Sequence, residues 1–153
     1  MDTPDRVSAG FPPARADDAE IMALVDSFER CVVPREEWNH RAHLVYALVM
    51  LLRHGPVQGA REIREGILRY NRVQGIEQTL SSGYHETLTA FHIEIVQRFV
   101  EKRDVSRYLH ELAEELWTRF GDPELPYRYY SREVLSSWEA RTSWMEPDLM
   151  RLW

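Results

Sequence analysis

The chain has 153 residues, of which 44% are hydrophobic and 29% charged, and its formal net charge is −6. This length suits one domain with a single core, and the composition is that of a folded protein. The negative charge provides no basic field for a phosphate backbone or an anionic lipid surface, so we expect no nucleic-acid partner and no membrane partner. No secretory signal or membrane span is evident, which predicts a cytoplasmic protein.

Composition divides the chain into two segments. Residues 1–16 are rich in Pro, Ala, Gly and Asp and have no hydrophobic period, which predicts a flexible N-terminal arm. Residues 17–153 carry apolar residues at helical spacing and predict a single helical domain. The expected fold is therefore all-α, a bundle of five to six helices with an aromatic-rich C-terminal segment. The single cysteine, Cys31, excludes an internal disulfide and a cysteine-rich metal site.

Capping residues and helix breakers set the predicted boundaries. Asp17 or Asp18 can cap the first helix, Asp104 the fifth and Ser131 the sixth. Gly55-Pro56 predicts a tight turn between the second and third helices. The second helix is almost wholly apolar in its second half and should be the most buried. The predicted helices cover approximately residues 17–32, 35–54, 56–74, 84–102, 105–120 and 132–141.

Aromatic residues are concentrated after residue 124. We interpret them as a packed lid over one end of the bundle, because aromatic side chains mostly serve packing. The alternative is a ligand wall or a homodimer surface. The residues concerned are Tyr127, Tyr129, Tyr130, Trp138, Trp144 and Trp153.

Two histidines of the second predicted helix, His40 and His43, are three residues apart. Residues at this spacing lie on one helix face, near enough for two imidazoles to hold one metal ion. The two histidines share a stripe with Leu44, Ala47 and Leu51, which must face the core of a buried helix. Both side chains are therefore expected to point inward.

The fourth predicted helix adds His85 and His92, which share a stripe with Leu88 and Val96. Two facing helices would then direct imidazoles into one interior. Burying several imidazoles costs free energy unless each nitrogen finds a partner. A shared metal ion would satisfy them, and separate hydrogen bonds to neighbouring polar side chains are the alternative.

We expect His40, His43 and His85 to hold a divalent metal ion, since three protein ligands with one open position are typical of catalytic sites. Imidazole and carboxylate donors suit Fe, Zn, Mn or Ni. Either Glu86 or His92 could supply a further ligand or the general base, and the position of Glu86 suits the base better.

Two further residues, Tyr84 and Asn71, are expected to orient the substrate, and Arg64 could reach the same cavity. The loop 81–86 leads into the fourth helix, where free N–H groups favour an anionic ligand. The alternative for this loop is an ordinary serine N-cap. Together these features predict a small, anionic metabolite as the ligand.

The sequence resembles a family of small bacterial all-helical proteins over approximately residues 28–99. The resemblance implies that the polar residues of its motifs form one site, and it implies no particular reaction. The motifs are Trp38-x-His40-x-x-His43-Leu44, Arg69-Tyr70-Asn71 and Gly83-Tyr84-His85-Glu86-Thr87-Leu88-Thr89.

These observations predict a metal-dependent enzyme that acts on a small metabolite at an inward-facing histidine site. The first alternative is a metal-free protein in which the same histidines bind a small molecule by hydrogen bonds. The second is a helical interaction module that uses the tryptophans of the C-terminal segment.

Overall fold

The computed structural model describes residues 17–152, and this part of the chain is all-helical without strands. The predicted all-α bundle is therefore confirmed. The predicted N-terminal arm and Trp153 lie outside the described residues. The helices are α1 (Asp18–Glu29), α2 (His40–Gln74), α3 (Glu86–Glu101), α4 (Leu109–Phe120), α5 (Arg132–Leu135) and α6 (Trp138–Thr142), with 3₁₀ turns at Arg35–Glu37 and Leu125–Arg128.

Helix α1 begins at a side-chain cap and ends earlier than predicted. The carboxylate of Asp17 accepts a hydrogen bond from the backbone N–H of Glu20 at 2.8 Å. The helix ends at Glu29, because Cys31 adopts a left-handed backbone conformation with φ of 60°. Its inner face is fully buried and consists of Ile21, Leu24, Val25 and Phe28.

Helix α2 is a helical hairpin whose two halves are joined at Gly55, where φ is 79° and ψ is 179°. The halves pack closely, since a Cβ at Gly59 would lie 2.9 Å from the Cα of Leu51. The helix begins at His40, five residues later than predicted, because residues 35–37 form a 3₁₀ turn. The side chain of Asn39 caps it by accepting from the N–H of Ala42 at 2.9 Å.

The later helices also differ from their predicted bounds. Helix α4 begins at Leu109, because Asp104 closes a local turn onto Ser106 instead of capping the helix. The predicted sixth helix is divided into α5 and α6, because Ser137 forms a second N-cap. Ser131 caps α5 as predicted, by accepting from the N–H of Val134 at 3.1 Å.

Two groups of buried side chains form the core, and α3 contributes to both. The larger group joins α1, α2, α3 and α4. The smaller lies under the C-terminal segment and consists of Phe91, Ile95, Leu125, Tyr130 and Leu135. The hydroxyl of Thr87 on α3 donates to the carbonyl of Ser143 at 2.9 Å, so this segment is packed against α3. No helix between residues 17 and 152 has the length and apolar character needed to cross a membrane.

Candidate functional site

A cavity of about 450 Å³ lies between the two halves of α2, the first half of α3 and the loop before α3. This volume is in the range of small-molecule sites. Most of its lining is apolar, and none of the described lining residues is Lys, Arg, Asp or Glu. The lining residues are Trp38, His40, His43, Leu44, Ala47, Ile63, Ile67, Asn71, Ile76, Gly83, Tyr84, His85, Leu88, Thr89, His92 and Ile93.

The ring of His43 is held in a defined orientation in the first turn of α2. Its Nδ1–H donates to the carbonyl of Asn39 at 2.8 Å. Because a carbonyl can only accept, Nδ1 carries the proton and Nε2 presents a lone pair. Burial, with a smaller contribution from the nearby His40, lowers the pKa of His43 to about 4, so the imidazole is neutral.

The ring of His92 on α3 has the same arrangement. Its Nδ1–H donates to the carbonyl of Leu88 at 2.8 Å, which again leaves Nε2 with a lone pair. Burial is the main cause that lowers its pKa to about 4, and proximity to His40 adds to the effect. Nε2 of His92 is enclosed and has no hydrogen-bond partner.

The third imidazole, His40, lies beside His92 with their ring centroids 5.1 Å apart and their planes at 68°. Two imidazoles bound to one tetrahedral ion through bonds of about 2.1 Å have centroids about 5 Å apart, so this spacing is suitable for a shared ion. Nε2 of His40 is also enclosed without a partner. Burial lowers the pKa of His40, which keeps this ring neutral as well.

Unpartnered polar atoms are concentrated at this site. Within residues 17–152, four enclosed side-chain N or O atoms have no hydrogen-bond partner, and three of them belong to Trp38, His40 and His92. The indole of Trp38 is packed between Phe28 and His43, with centroid distances of 3.7 and 4.0 Å. Such atoms are rare in folded proteins and call for a ligand, an ion or a water molecule to explain them.

The predicted role of His85 as a metal ligand is not supported. Its Nδ1 accepts from the N–H of Leu88 at 3.1 Å, which makes His85 the N-cap of α3. Its Nε2 lies 2.8 Å from the carbonyl of Leu135 and donates to it. Both ring nitrogens are therefore occupied, and His92 is the α3 histidine that lies beside His40.

The predicted base, Glu86, is held away from the imidazoles. Its carboxylate accepts from the Nε–H of Arg64 at 2.9 Å and from the hydroxyl of Tyr84, and Glu86 is not among the cavity-lining residues. Burial and the bond to Glu86 raise the pKa of Tyr84, so its phenol stays protonated. Asn71 lines the cavity as predicted, and its side-chain amide makes no hydrogen bond to a described residue.

The two features that suggested an anionic ligand are both occupied. The N-terminus of α3 is capped by His85, and the guanidinium of Arg64 is paired with Glu86. The predicted serine cap is not formed, because the hydroxyl of Ser82 bonds to that of Thr79 at 2.7 Å. The geometry therefore does not support an anion at this helix end.

Sequence reasoning missed Arg141, which fixes the loop that carries Tyr84. Its buried guanidinium donates to the carbonyls of Ser82 and Gly83, both at 3.1 Å. Gly83 has φ of 82°, and a Cβ there would lie 2.3 Å from the carbonyl of Glu77. The local sequence contained no signal for this role, because Arg141 stands among polar residues such as Glu139, Thr142 and Ser143.

Within residues 17–152, no group of three or more His, Cys, Asp or Glu side chains is placed so that it could hold a metal ion. No family model, characterised protein or solved structure matches the chain. The interpretation of the site rests on its own geometry.

Proposed function

We propose that this chain is a metal-dependent enzyme that acts on a small molecule in the cavity, with His40, His43 and His92 as the metal ligands. The observation that carries this proposal is the arrangement of the two outer imidazoles. In each of them a backbone carbonyl holds Nδ1–H and leaves Nε2 as a free lone pair. Metal-ligating histidines are oriented in this way in proteins.

The protonation state supports the same proposal. A metal ion binds only neutral imidazole, and His43 and His92 have pKa values near 4 because they are buried. No proton would have to be displaced from either ring at neutral pH. The imidazoles are already desolvated in the folded protein, so metal binding would not have to supply that free energy.

Closing the ligand set requires a side-chain movement, and His40 is the residue suited to make it. His40 forms no hydrogen bond to another described residue, whereas His43 and His92 are each tied to their own helix. The proposal requires that rotation about the side-chain torsions of His40 bring its Nε2 to an ion shared with the other two.

Three imidazoles would leave a coordination position open toward the cavity, where the ion would polarise a substrate oxygen or lower the pKa of a bound water. The unpartnered amide of Asn71 would orient the substrate. The phenol of Tyr84 stays protonated and donates a hydrogen bond to the carboxylate of Glu86. This pair would therefore shape the cavity wall and would not act as a general base.

Elemental analysis and calorimetric titration with Zn, Mn, Fe(II) and Ni test the proposal. The parent protein is expected to bind one ion per chain, and His92→Leu is expected to bind none. The matched control is His85→Asn, because asparagine can still cap α3 and the variant should keep the ion. Metal retained by His92→Leu, or no binding of any of the four metals by the parent, would contradict the proposal.

A metal-free binding protein is the second candidate. It is favoured because residues 17–152 contain no group of three or more His, Cys, Asp or Glu side chains that could hold a metal ion. The lone pairs of His43 and His92 would then accept hydrogen bonds from the ligand. In that case a bound small molecule should raise the melting temperature equally with and without chelator.

A further inference from the structure

We infer that the cavity takes an uncharged molecule with a mainly apolar body and one polar end group. This inference concerns the metal-free protein, because a bound divalent ion would itself supply positive charge and would take up Nε2 of His43. It rests on the proposed function only in treating the cavity as the substrate site. It replaces the anionic metabolite that the sequence had suggested.

In the metal-free protein, the described part of the cavity wall has no acidic or basic side chain that could neutralise a charged ligand. None of the described lining residues is Lys, Arg, Asp or Glu. Moving an unpaired charge from water into such surroundings is strongly unfavourable. Apolar side chains cover most of the wall, among them Leu44, Ala47, Ile63, Leu88 and Ile93.

The nearest sources of positive charge are already used within the protein. The guanidinium of Arg64 lies 2.9 Å from the carboxylate of Glu86, so this pair presents no net charge to the cavity. At the start of α3, the N–H of Leu88 is already bonded to Nδ1 of His85. An anion that paired with Arg64 would have to compete with Glu86 for its guanidinium.

The polar groups that do face the cavity suit an uncharged end group. The amide of Asn71 makes no hydrogen bond to another described residue and can both donate and accept. Nε2 of His43 is a pure acceptor, because Nδ1 holds the proton. A primary amide or a hydroxyl group matches this pattern, since each can donate to an imidazole and accept from an amide N–H.

Octanamide and octanoate provide a matched pair of probes with the same apolar body and different charge. Calorimetry at neutral pH with metal-free parent protein in EDTA should show octanamide binding at least about tenfold more tightly than octanoate. In the Asn71→Leu variant, the affinity for octanamide should fall by about tenfold, because its polar end loses its partner. Ala47→Leu, which narrows the cavity, should weaken octanamide further.

Equal or tighter binding of octanoate to the metal-free protein would overturn the inference, and so would the failure of both probes to bind. If Ala47→Leu does not fold, Ile93→Phe gives the same test of cavity volume. Metal stoichiometry is measured separately, so the two proposals fail independently. If octanamide binds and the protein takes up no metal, this inference stands and the metal-dependent function is contradicted. If the protein takes up a metal and neither probe binds, the metal-dependent function stands and this inference is overturned.

Discussion

Replacing His92 by leucine should leave the metal-free protein at least as stable as the parent. Nε2 of His92 is enclosed without a partner, and such an atom costs about 1–3 kcal/mol. Leucine is close to histidine in size, has a higher helix propensity and carries no polar atom to satisfy. The bond lost is the one from Nδ1 to the carbonyl of Leu88, which contributes about 0.5–1.5 kcal/mol. The expected net change is a gain of about 1 kcal/mol, from the balance of these two terms.

Urea and thermal unfolding followed by circular dichroism in EDTA measure this change. For a domain of this size, 1 kcal/mol corresponds to a rise of about 2–4 °C in melting temperature. The control is Phe91→Leu at the neighbouring, fully buried position, where lost packing should lower stability. If His92→Leu is also less stable than the parent by about 1 kcal/mol or more at neutral pH, histidine at this position has a structural role and the reasoning is refuted.

Three further predictions concern acid stability and packing. In chelator, the free energy of unfolding should fall as the pH drops from about 6.5 toward 4, because His43 and His92 stay neutral in the folded chain while the unfolded chain takes up protons. The loss of stability approaches about 3 kcal/mol per histidine. An unchanged midpoint in urea titrations across this pH range would contradict the prediction. Arg141→Lys should lower the free energy of unfolding by about 1–3 kcal/mol and speed proteolysis of the loop before α3, since one ammonium cannot replace the forked guanidinium. An unchanged melting temperature and cleavage rate would show that the loop does not depend on Arg141. Gly66→Ala should lower stability by about 1–3 kcal/mol, because its Cβ would lie 2.3 Å from the hydroxyl of Tyr46; a melting temperature equal to that of the parent would show that this contact relaxes freely.

The helices could be predicted because their apolar residues repeat at a period that needs no knowledge of tertiary structure. Helix ends were less predictable, since several polar residues compete for each cap. Asp104 is an acceptable N-cap by type, yet it closes a turn onto Ser106 and α4 begins later. The same competition divides the predicted sixth helix at Ser137. Which of the competing residues caps a helix depends on the tertiary contacts of that part of the chain, and the local sequence does not specify them.

The apolar pattern placed four histidines on two stripes, but it could not choose between His85 and His92. His85 and His92 are two helical turns apart, so periodicity places them on one side of α3 and cannot say which of them meets α2. His85 precedes the first helical residue, and its ring turns back to cap α3 and to reach Leu135. Only the packing of α2 against α3 brings His92 to within 5.1 Å of His40.

In a purely structural bundle, three enclosed polar atoms without partners would only lower the stability, since leucine or phenylalanine would fill the same space without unsatisfied polar groups. Proteins keep such local conflicts mainly where a ligand resolves them. If a metal ion resolves the conflict at His40 and His92, saturation at one hundred times the dissociation constant should add about 2.7 kcal/mol to the parent and nothing to His92→Leu. The order of stability of the two proteins should therefore reverse between chelator and saturating metal. A side chain that merely packs would give the same order in both conditions, so this reversal separates a ligand of the ion from a core residue.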